Sequence, residues 1–128
     1  MKVEIEMVKA FQKAYGHPVS DSPKYLPASR CLMRHNLLSE EVNELLGAMV
    51  NKDLVEVADA IADCFYILFG TAVEFGIADK MEEVFHEVHR SNMSKLDEEG
   101  MPIYREDGKV LKGPNYRKPE LRPIIFTK

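Results

Sequence analysis

The sequence predicts an all-α protein, in which four helices form a bundle that is followed by a short hairpin and an extended arm. Three observations predict this fold class. Apolar residues recur at helical spacing in four segments. Proline or glycine separates the first segment from the second and the third from the fourth, and the polar residues "NKD" separate the second from the third. The residues after about 97 lack helical periodicity. A chain of 128 residues suits a single domain, with a helical core at 1–97 and a hairpin and tail at 98–128.

The first two helices are predicted from their apolar spacing and from the residues that bound them. The first covers about 3–15 and ends where Gly16 and a following proline break the helical pattern. A proline-rich linker then leads to the second helix, which covers about 27–50. Its first residue, Pro27, suits the first helical turn, because no hydrogen bond is lost there.

The third and fourth helices follow after short connections. The third covers about 54–75 and ends at Gly76, a residue typical of a helix C-terminus. It is apolar around most of its circumference, so we expect it to be the central and most buried helix. The fourth covers about 79–95, with Phe85 among the residues expected to face inward.

The tail differs in composition from the helices. Asp107 and Gly108 separate two short apolar runs, which predicts a small hairpin. The next ten residues, "PNYRKPELRP", contain three prolines and predict an extended arm. Lysine and arginine are frequent from Arg105 onward, whereas the third helix is acidic.

Net charge and cysteine content limit the classes of function. The net charge of −4 argues against general binding of nucleic acid, which requires a cationic surface. Two cysteines, Cys31 and Cys64, do not suggest a disulfide framework, so we expect a reducing, cytoplasmic location. The apolar stretches are too short to span a bilayer, and the N-terminus lacks the apolar core of a signal peptide, so no membrane partner is expected.

Six acidic residues fall on two shared helix faces: Glu40, Glu41 and Glu44 on the second helix, and Glu56, Asp59 and Asp63 on the third. Spacings of three and four residues place neighbours on the same side of a helix. Between Lys52 and Lys80 there is no lysine or arginine, so local ion pairs cannot neutralise the acids of the third helix.

A helical hairpin that turns at about residue 52 brings the two acidic faces together. Residues equidistant from the turn lie at similar height, because both helices rise by the same amount per residue. Glu44 then lies level with the region of Asp59 and Ala60, Glu41 lies level with Asp63, and Glu56 lies about one turn nearer the connection. The sequence therefore predicts a pocket of four or five carboxylates.

Such a pocket repels itself unless a cation fills it, and oxygen-only ligands favour Mg²⁺ or Mn²⁺ over zinc. Magnesium sites of this kind commonly meet substrate phosphates, which indicates phosphoryl transfer to water. The alternative is a plain solvated surface. Glu40 fits that alternative as well as a functional role, whereas Asp59 and Asp63 interrupt the most apolar helix.

Several motifs resemble the all-α NTP pyrophosphohydrolase superfamily, the MazG-like group. They are "EEVNE", "EVADAIAD", "ADCFYILFGTAVEFGI", "VFHEVHRSNMSK" and "DGKVLKGPNYRKPEL", and together they cover about 38–121. The last motif resembles the MazG-like dUTPase branch. The resemblance implies cleavage of a nucleoside triphosphate between its α and β phosphates, and assembly as a homodimer or homotetramer.

The resemblance also implies roles for the acidic residues. Glu41 and Glu44 would hold Mg²⁺ with Asp59 and Asp63, and Glu40 would orient or deprotonate the attacking water. The catalytic set is thus Glu40, Glu41 and Glu44, and the candidate metal ligands are Glu41, Glu44, Glu56, Asp59 and Asp63. The ligand set stays open by one residue, because an alignment on "ADCFY" places the family glutamate at Ala60, while Glu56 and Asp59 satisfy the acidic spacing directly.

The same resemblance implies that five residues, at the end of the fourth helix and in the tail, contact the triphosphate or the base: Asn92, Lys95, Lys109, Lys112 and Tyr116. Lysine supplies point charges for phosphate, and a tyrosine ring can stack on a base. The alternative is a solvated surface group, which fits Lys109 and Tyr116 as well as a binding role does, and Asn92 and Lys95 less well. The alternatives to a dUTP-cleaving enzyme are a phosphoribosyl-ATP pyrophosphohydrolase, which the tail argues against, and a non-catalytic module that binds nucleotide or metal.

Overall fold

The helices observed are α1 (Lys2–Ala14), α2 (Ala28–Val50), α3 (Leu54–Glu74), α4 (Met81–Met93) and α5 (Arg122–Ile125), with a 3-10 turn at Ala78–Lys80. The computed structural model describes residues 1–127. The four long helices confirm the predicted all-α fold class, and each of their boundaries lies within two residues of the predicted one. The short helix α5 is not predicted by the sequence analysis.

The chain divides into two compact units, Met1–Asp79 and Lys80–Lys128. The first unit contains α1, α2 and α3, and α3 contacts both of the other helices. The second unit contains α4, the hairpin region and the arm, which we define as residues 114–123. Helix α4 therefore belongs to the same unit as the tail, whereas the sequence analysis groups it with the helical core.

Helices α2 and α3 form an antiparallel hairpin that is the framework of the first unit. The Asp53 carboxylate accepts the backbone N–H groups of Val55 and Glu56, both at 3.1 Å, and so begins α3. Ala48 and Ala60 are buried, and their small side chains allow the two helices to approach closely. Helix α1 is held against α3 by packing around its buried residues.

Much of the apolar surface of α3 is not covered within the chain. Leu54 is 82% exposed and Val55 is 76% exposed, and Phe65 is also largely accessible. The prediction that α3 is the central helix is confirmed by its contacts with α1 and α2. Helix α3 has five buried residues, more than any other helix in the described part of the chain, which confirms that it is the most buried one. Its apolar circumference is covered only in part, because only two helices pack against it in the first unit.

The tail is built on turns. The predicted hairpin has one antiparallel bridge, between Tyr104 and Val110, and no strand is formed within residues 1–127. The Asp107 carboxylate accepts the backbone N–H of Lys109 at 3.1 Å, which stabilises the turn. On α4, Phe85 is 60% exposed, so its predicted inward orientation is wrong.

Side chains of α4, and of Ser94 that follows it, hold the arm by its backbone. The Glu87 carboxylate accepts the backbone N–H of Glu120 at 2.8 Å. The Ser91 hydroxyl donates to the carbonyl oxygen of Arg117 at 2.8 Å, and the Ser94 hydroxyl accepts the N–H of Arg117 at 3.0 Å. The motif "EVHRSNMSK" therefore has a structural role in the second unit: it fixes the course of the arm.

Among residues 1–127, no single helix is long and apolar enough to cross a membrane. Only α3 and the helical segment Ala78–Met93, taken together across the break between them, meet that requirement by length and composition.

Candidate metal centre

The α2–α3 hairpin brings three carboxylates together. One oxygen from each of Glu41, Glu44 and Asp63 lies within 4.8 Å of the corresponding oxygens of the other two. Helical side chains lean toward the N-terminus of their own helix. Glu41 and Glu44 therefore lean away from the hairpin turn and Asp63 leans toward it, so residues of the two helices meet although their Cα atoms differ in height.

Glu41 lies in an electrostatically unfavourable position within this cluster. Burial, and then the negative charges of Asp63 and Glu44, raise the pKa of its carboxyl group. Its Oε2 atom is shielded from solvent and accepts no hydrogen bond from residues 1–127. The charged groups that act on Glu41 are Asp63 and Glu44, and both are negative.

These residues fit a divalent cation. Three carboxylates supply only hard oxygen donors, and a buried oxygen without a donor is the expected state of a ligand whose partner is an ion. A bound cation would remove the repulsion that raises the pKa of Glu41. Glu41 and Asp63 are half-buried and Glu44 is exposed, so the cluster is open to solvent on one side.

Three other predicted acids lie outside the cluster. Glu56 and Asp59 are exposed on α3 and are not among the carboxylates that come together. Asp59 is one turn nearer the hairpin connection than Asp63 and leans further toward it, away from Glu44. Glu40 is exposed on α2, where it lines a surface depression of about 360 Å³.

The predicted substrate-binding residues all belong to the second unit. Asn92 and Lys109 are exposed, and Lys95 is half-buried at the end of α4. The structure brings two of the five together: the Lys112 ammonium lies 4.8 Å from the centroid of the Tyr116 ring. Their contact with a substrate stays a prediction.

The sequence analysis missed a buried ionic network on the same hairpin. Glu74 is fully buried near the end of α3, and Arg34 of α2 is only 5% exposed. Their charged atoms lie 3.1 Å apart. Glu74 is the one charged residue in the stretch 64–78, and a lone acid in so apolar a run is a signal of a buried cationic partner.

The fold and the site define an all-α protein whose helical hairpin carries a carboxylate centre suited to a divalent cation. The family model for phosphoribosyl-ATP pyrophosphohydrolase matches residues 8–92. The chain belongs to this family of pyrophosphohydrolases, which lies within the MazG-like superfamily of all-α NTP pyrophosphohydrolases. The match ends before the tail motif on which the resemblance to the dUTPase branch depends, so that branch stays a prediction.

The chain is also similar to an uncharacterized protein of Acanthamoeba polyphaga mimivirus. The two are 25% identical over 116 residues, which cover 84% of this chain and 41% of the viral protein. The chain therefore spans less than half the length of this relative, and the likeness carries no information about substrate.

Proposed function

We propose that the protein is a Mg²⁺-dependent nucleoside triphosphate pyrophosphohydrolase, which converts its substrate to a monophosphate and pyrophosphate. The observation that carries the proposal is the cluster of Glu41, Glu44 and Asp63. Membership of a pyrophosphohydrolase family supports the reaction class. Mn²⁺ would serve in place of Mg²⁺, since both prefer oxygen ligands.

The residues have distinct proposed roles. Glu41, Glu44 and Asp63 would hold the cation, which supplies charge neutralisation for the phosphates and activation of water when bound. Glu40, one residue from Glu41 but outside the cluster, is proposed to orient or deprotonate the attacking water. Asp59 remains a candidate for a second, outer ligand because it lies one turn from Asp63.

Two substrate classes have specific support. The tail motif "DGKVLKGPNY" favours a deoxynucleoside triphosphate such as dUTP, with Lys109, Lys112 and Tyr116 as the contacts to test. The family match over residues 8–92 favours phosphoribosyl-ATP instead. Both substrates present an anhydride that hydrolysis would split with release of pyrophosphate.

We also propose a homodimer or homotetramer in the cytoplasm. The apolar side chains near the hairpin connection support assembly, since large patches of this kind on a soluble chain mark interfaces. Leu46 is 60% exposed and Val50 is 71% exposed, and they lie close in sequence to the exposed Leu54 and Val55. Sedimentation analysis of the wild-type protein tests this part of the proposal.

The proposed activity is tested by pyrophosphate release. Purified protein with Mg²⁺ is assayed against dUTP, dCTP, dTTP, 8-oxo-dGTP and phosphoribosyl-ATP. We expect turnover of at least one substrate and its loss in Glu44→Gln and Asp63→Asn. If both variants keep wild-type turnover, the carboxylate assignment is wrong, and tight nucleotide binding without hydrolysis would favour the non-catalytic alternative.

A further inference from the structure

About two to three helical turns from the carboxylate cluster, on the same two helices, a buried network connects α2 to α3. Arg30 donates to the Glu74 carboxylate through Nε at 2.6 Å and through Nη2 at 2.8 Å. Arg34 approaches the same carboxylate with Nη1 at 3.1 Å. Gln12 of α1 adds a further hydrogen bond to Glu74 at 2.9 Å, so all three helices of the first unit meet there.

Arg34 is fixed at three successive positions along one face of α3. Besides its ion pair with Glu74, it donates through Nε to the Thr71 hydroxyl at 3.1 Å and through Nη2 to the Ile67 carbonyl at 2.7 Å. Gly70 makes room for this side chain, because a Cβ atom there would lie 2.5 Å from Arg34 Nη2. One buried guanidinium therefore sets both the height and the rotation of α2 against α3.

Stability alone does not explain the network. The buried ion pair joins Arg34 and Glu74, and the partly exposed Arg30 adds a second positive charge beside it. Apolar residues of similar volume commonly stabilise a core as well as or better than a buried ion pair does. Burial raises the pKa of Glu74, but hydrogen bonds from Arg30 and Gln12 and the charges of the arginines outweigh it, so the carboxyl pKa lies below its ordinary value. The network instead specifies the alignment of α2 against α3, because its hydrogen bonds and ion pairs can form at one helix register only.

That register also determines the candidate metal centre. Arg34 precedes Glu41 by seven residues on α2, and Asp63 precedes Glu74 by eleven on α3. A slip of one residue between the helices would shift them by about 1.5 Å and rotate a side chain by roughly 100°. Either change would separate Glu41 from Asp63.

We propose that Glu74, acting with Arg34, is a positioning residue that fixes the register of α2 against α3 and so holds Glu41 and Glu44 opposite Asp63. The inference rests on the proposed function in one respect, that the cluster binds a divalent cation. It assigns to the buried ionic network an effect on metal affinity that is separate from its effect on stability.

The test is the affinity for Mn²⁺ of the wild-type protein and three variants, measured by calorimetric titration at a temperature where circular dichroism shows each to be folded. Arg34→Lys keeps the charge but loses the three-point attachment, and Glu74→Gln keeps the shape but loses the charge. Val8→Ala, a core change on α1 outside the network, serves as the destabilised control.

We expect Arg34→Lys and Glu74→Gln each to weaken Mn²⁺ binding by about tenfold or more, as loss of a supporting contact around a metal site commonly does. Val8→Ala should lower the melting temperature and keep wild-type affinity. Wild-type Mn²⁺ affinity in Arg34→Lys would overturn the inference. This holds even if Glu74→Gln binds Mn²⁺ more weakly, because that weakening would then reflect only the long-range effect of the lost charge. If the wild-type protein binds no Mn²⁺, both the proposed metal centre and this inference are wrong. If it binds Mn²⁺ but hydrolyses no substrate, only the proposed activity is wrong.

Discussion

Replacing Glu41 by glutamine should stabilise the metal-free protein. The substitution keeps the shape of the side chain and removes its repulsion by Glu44 and Asp63, whose oxygens lie within 4.8 Å. At that distance two unit charges repel by about 0.9 kcal/mol in the permittivity of water and by ~3.5 kcal/mol at an effective value of about 20. Because Glu44 is exposed, solvent screening favours the lower figure, and two such pairs give a gain of about 1–2 kcal/mol.

The assay is thermal unfolding in EDTA and in excess Mg²⁺. In EDTA at neutral pH, a gain of this size should raise the melting temperature of Glu41→Gln by roughly 3–8 °C. In Mg²⁺ the order should reverse, since an ion at 100 times its dissociation constant stabilises a protein that binds it by about 2.7 kcal/mol. Glu41→Gln lacks one metal ligand, so Mg²⁺ should stabilise it less than it stabilises the wild-type protein.

The stability difference between Glu41→Gln and the wild-type protein should depend on pH in a defined direction. The pKa of Glu41 is raised in the folded state, so its charge costs stability above that pKa, and this cost disappears as the pH falls below the ordinary carboxyl value. The advantage of Glu41→Gln should therefore be full above the raised pKa and shrink on acidification. Asp59→Asn, on α3 but outside the cluster, should change the EDTA stability little and, since Asp59 is at most an outer ligand, weaken the response to Mg²⁺ less than Glu41→Gln does.

Two results would refute this reasoning. A lower melting temperature of Glu41→Gln than of wild type in EDTA would show that favourable contacts, not repulsion, dominate at Glu41. Loss of the Mg²⁺ response in Asp59→Asn would show that the ion is held nearer the hairpin connection than the observed cluster.

Two further predictions concern other parts of the chain. The pKa of Glu87 is lowered to about 2 by hydrogen bonds from the Arg90 guanidinium and the Glu120 N–H, so its hold on the arm is complete above the ordinary carboxyl pKa and is lost as pH falls from there toward 2. Glu87→Gln should accelerate tryptic cleavage within the arm at neutral pH, and an unchanged cleavage rate would contradict this. Gly70→Ala should destabilise the protein by ~2 kcal/mol or more, because the added methyl group displaces the buried Arg34 side chain. Gly47→Ala, with open space at its Cβ position, should instead stabilise α2 by about 0.5–1 kcal/mol. Urea denaturation measures both changes, and equal effects would count against the proposed role of the network in fixing the helix register.

The four long helices could be predicted because their signals are local. Asp53 caps α3 with its own side chain, and Gly76, at φ 73°, follows the end of α3 in the left-handed conformation that glycine adopts without strain. Convergence of acids from α2 and α3 also followed from the sequence, because a three-residue connection leaves an antiparallel hairpin as the natural arrangement.

The membership of the cluster was harder to predict. Heights along the helix axes pair Glu44 with Asp59, but side chains lean along their helices by about one residue position, which brings Glu44 to Asp63 instead. The partners of Glu74 were beyond prediction for a different reason. Arg30 and Arg34 lie about forty residues away in sequence, and periodicity does not show which cation meets a buried acid.

The hydrogen bonds that hold the arm affect which sequence changes the arm can accept. The contacts made by Ser91 and Ser94 reach the main-chain amide and carbonyl of Arg117, groups that every residue except proline carries alike. The path of this segment is thereby largely uncoupled from the identity of its side chains. Related chains could exchange the residues displayed at 117, 118 and 120 freely, and so alter what this edge of the molecule recognises, while the trace of the chain stays the same.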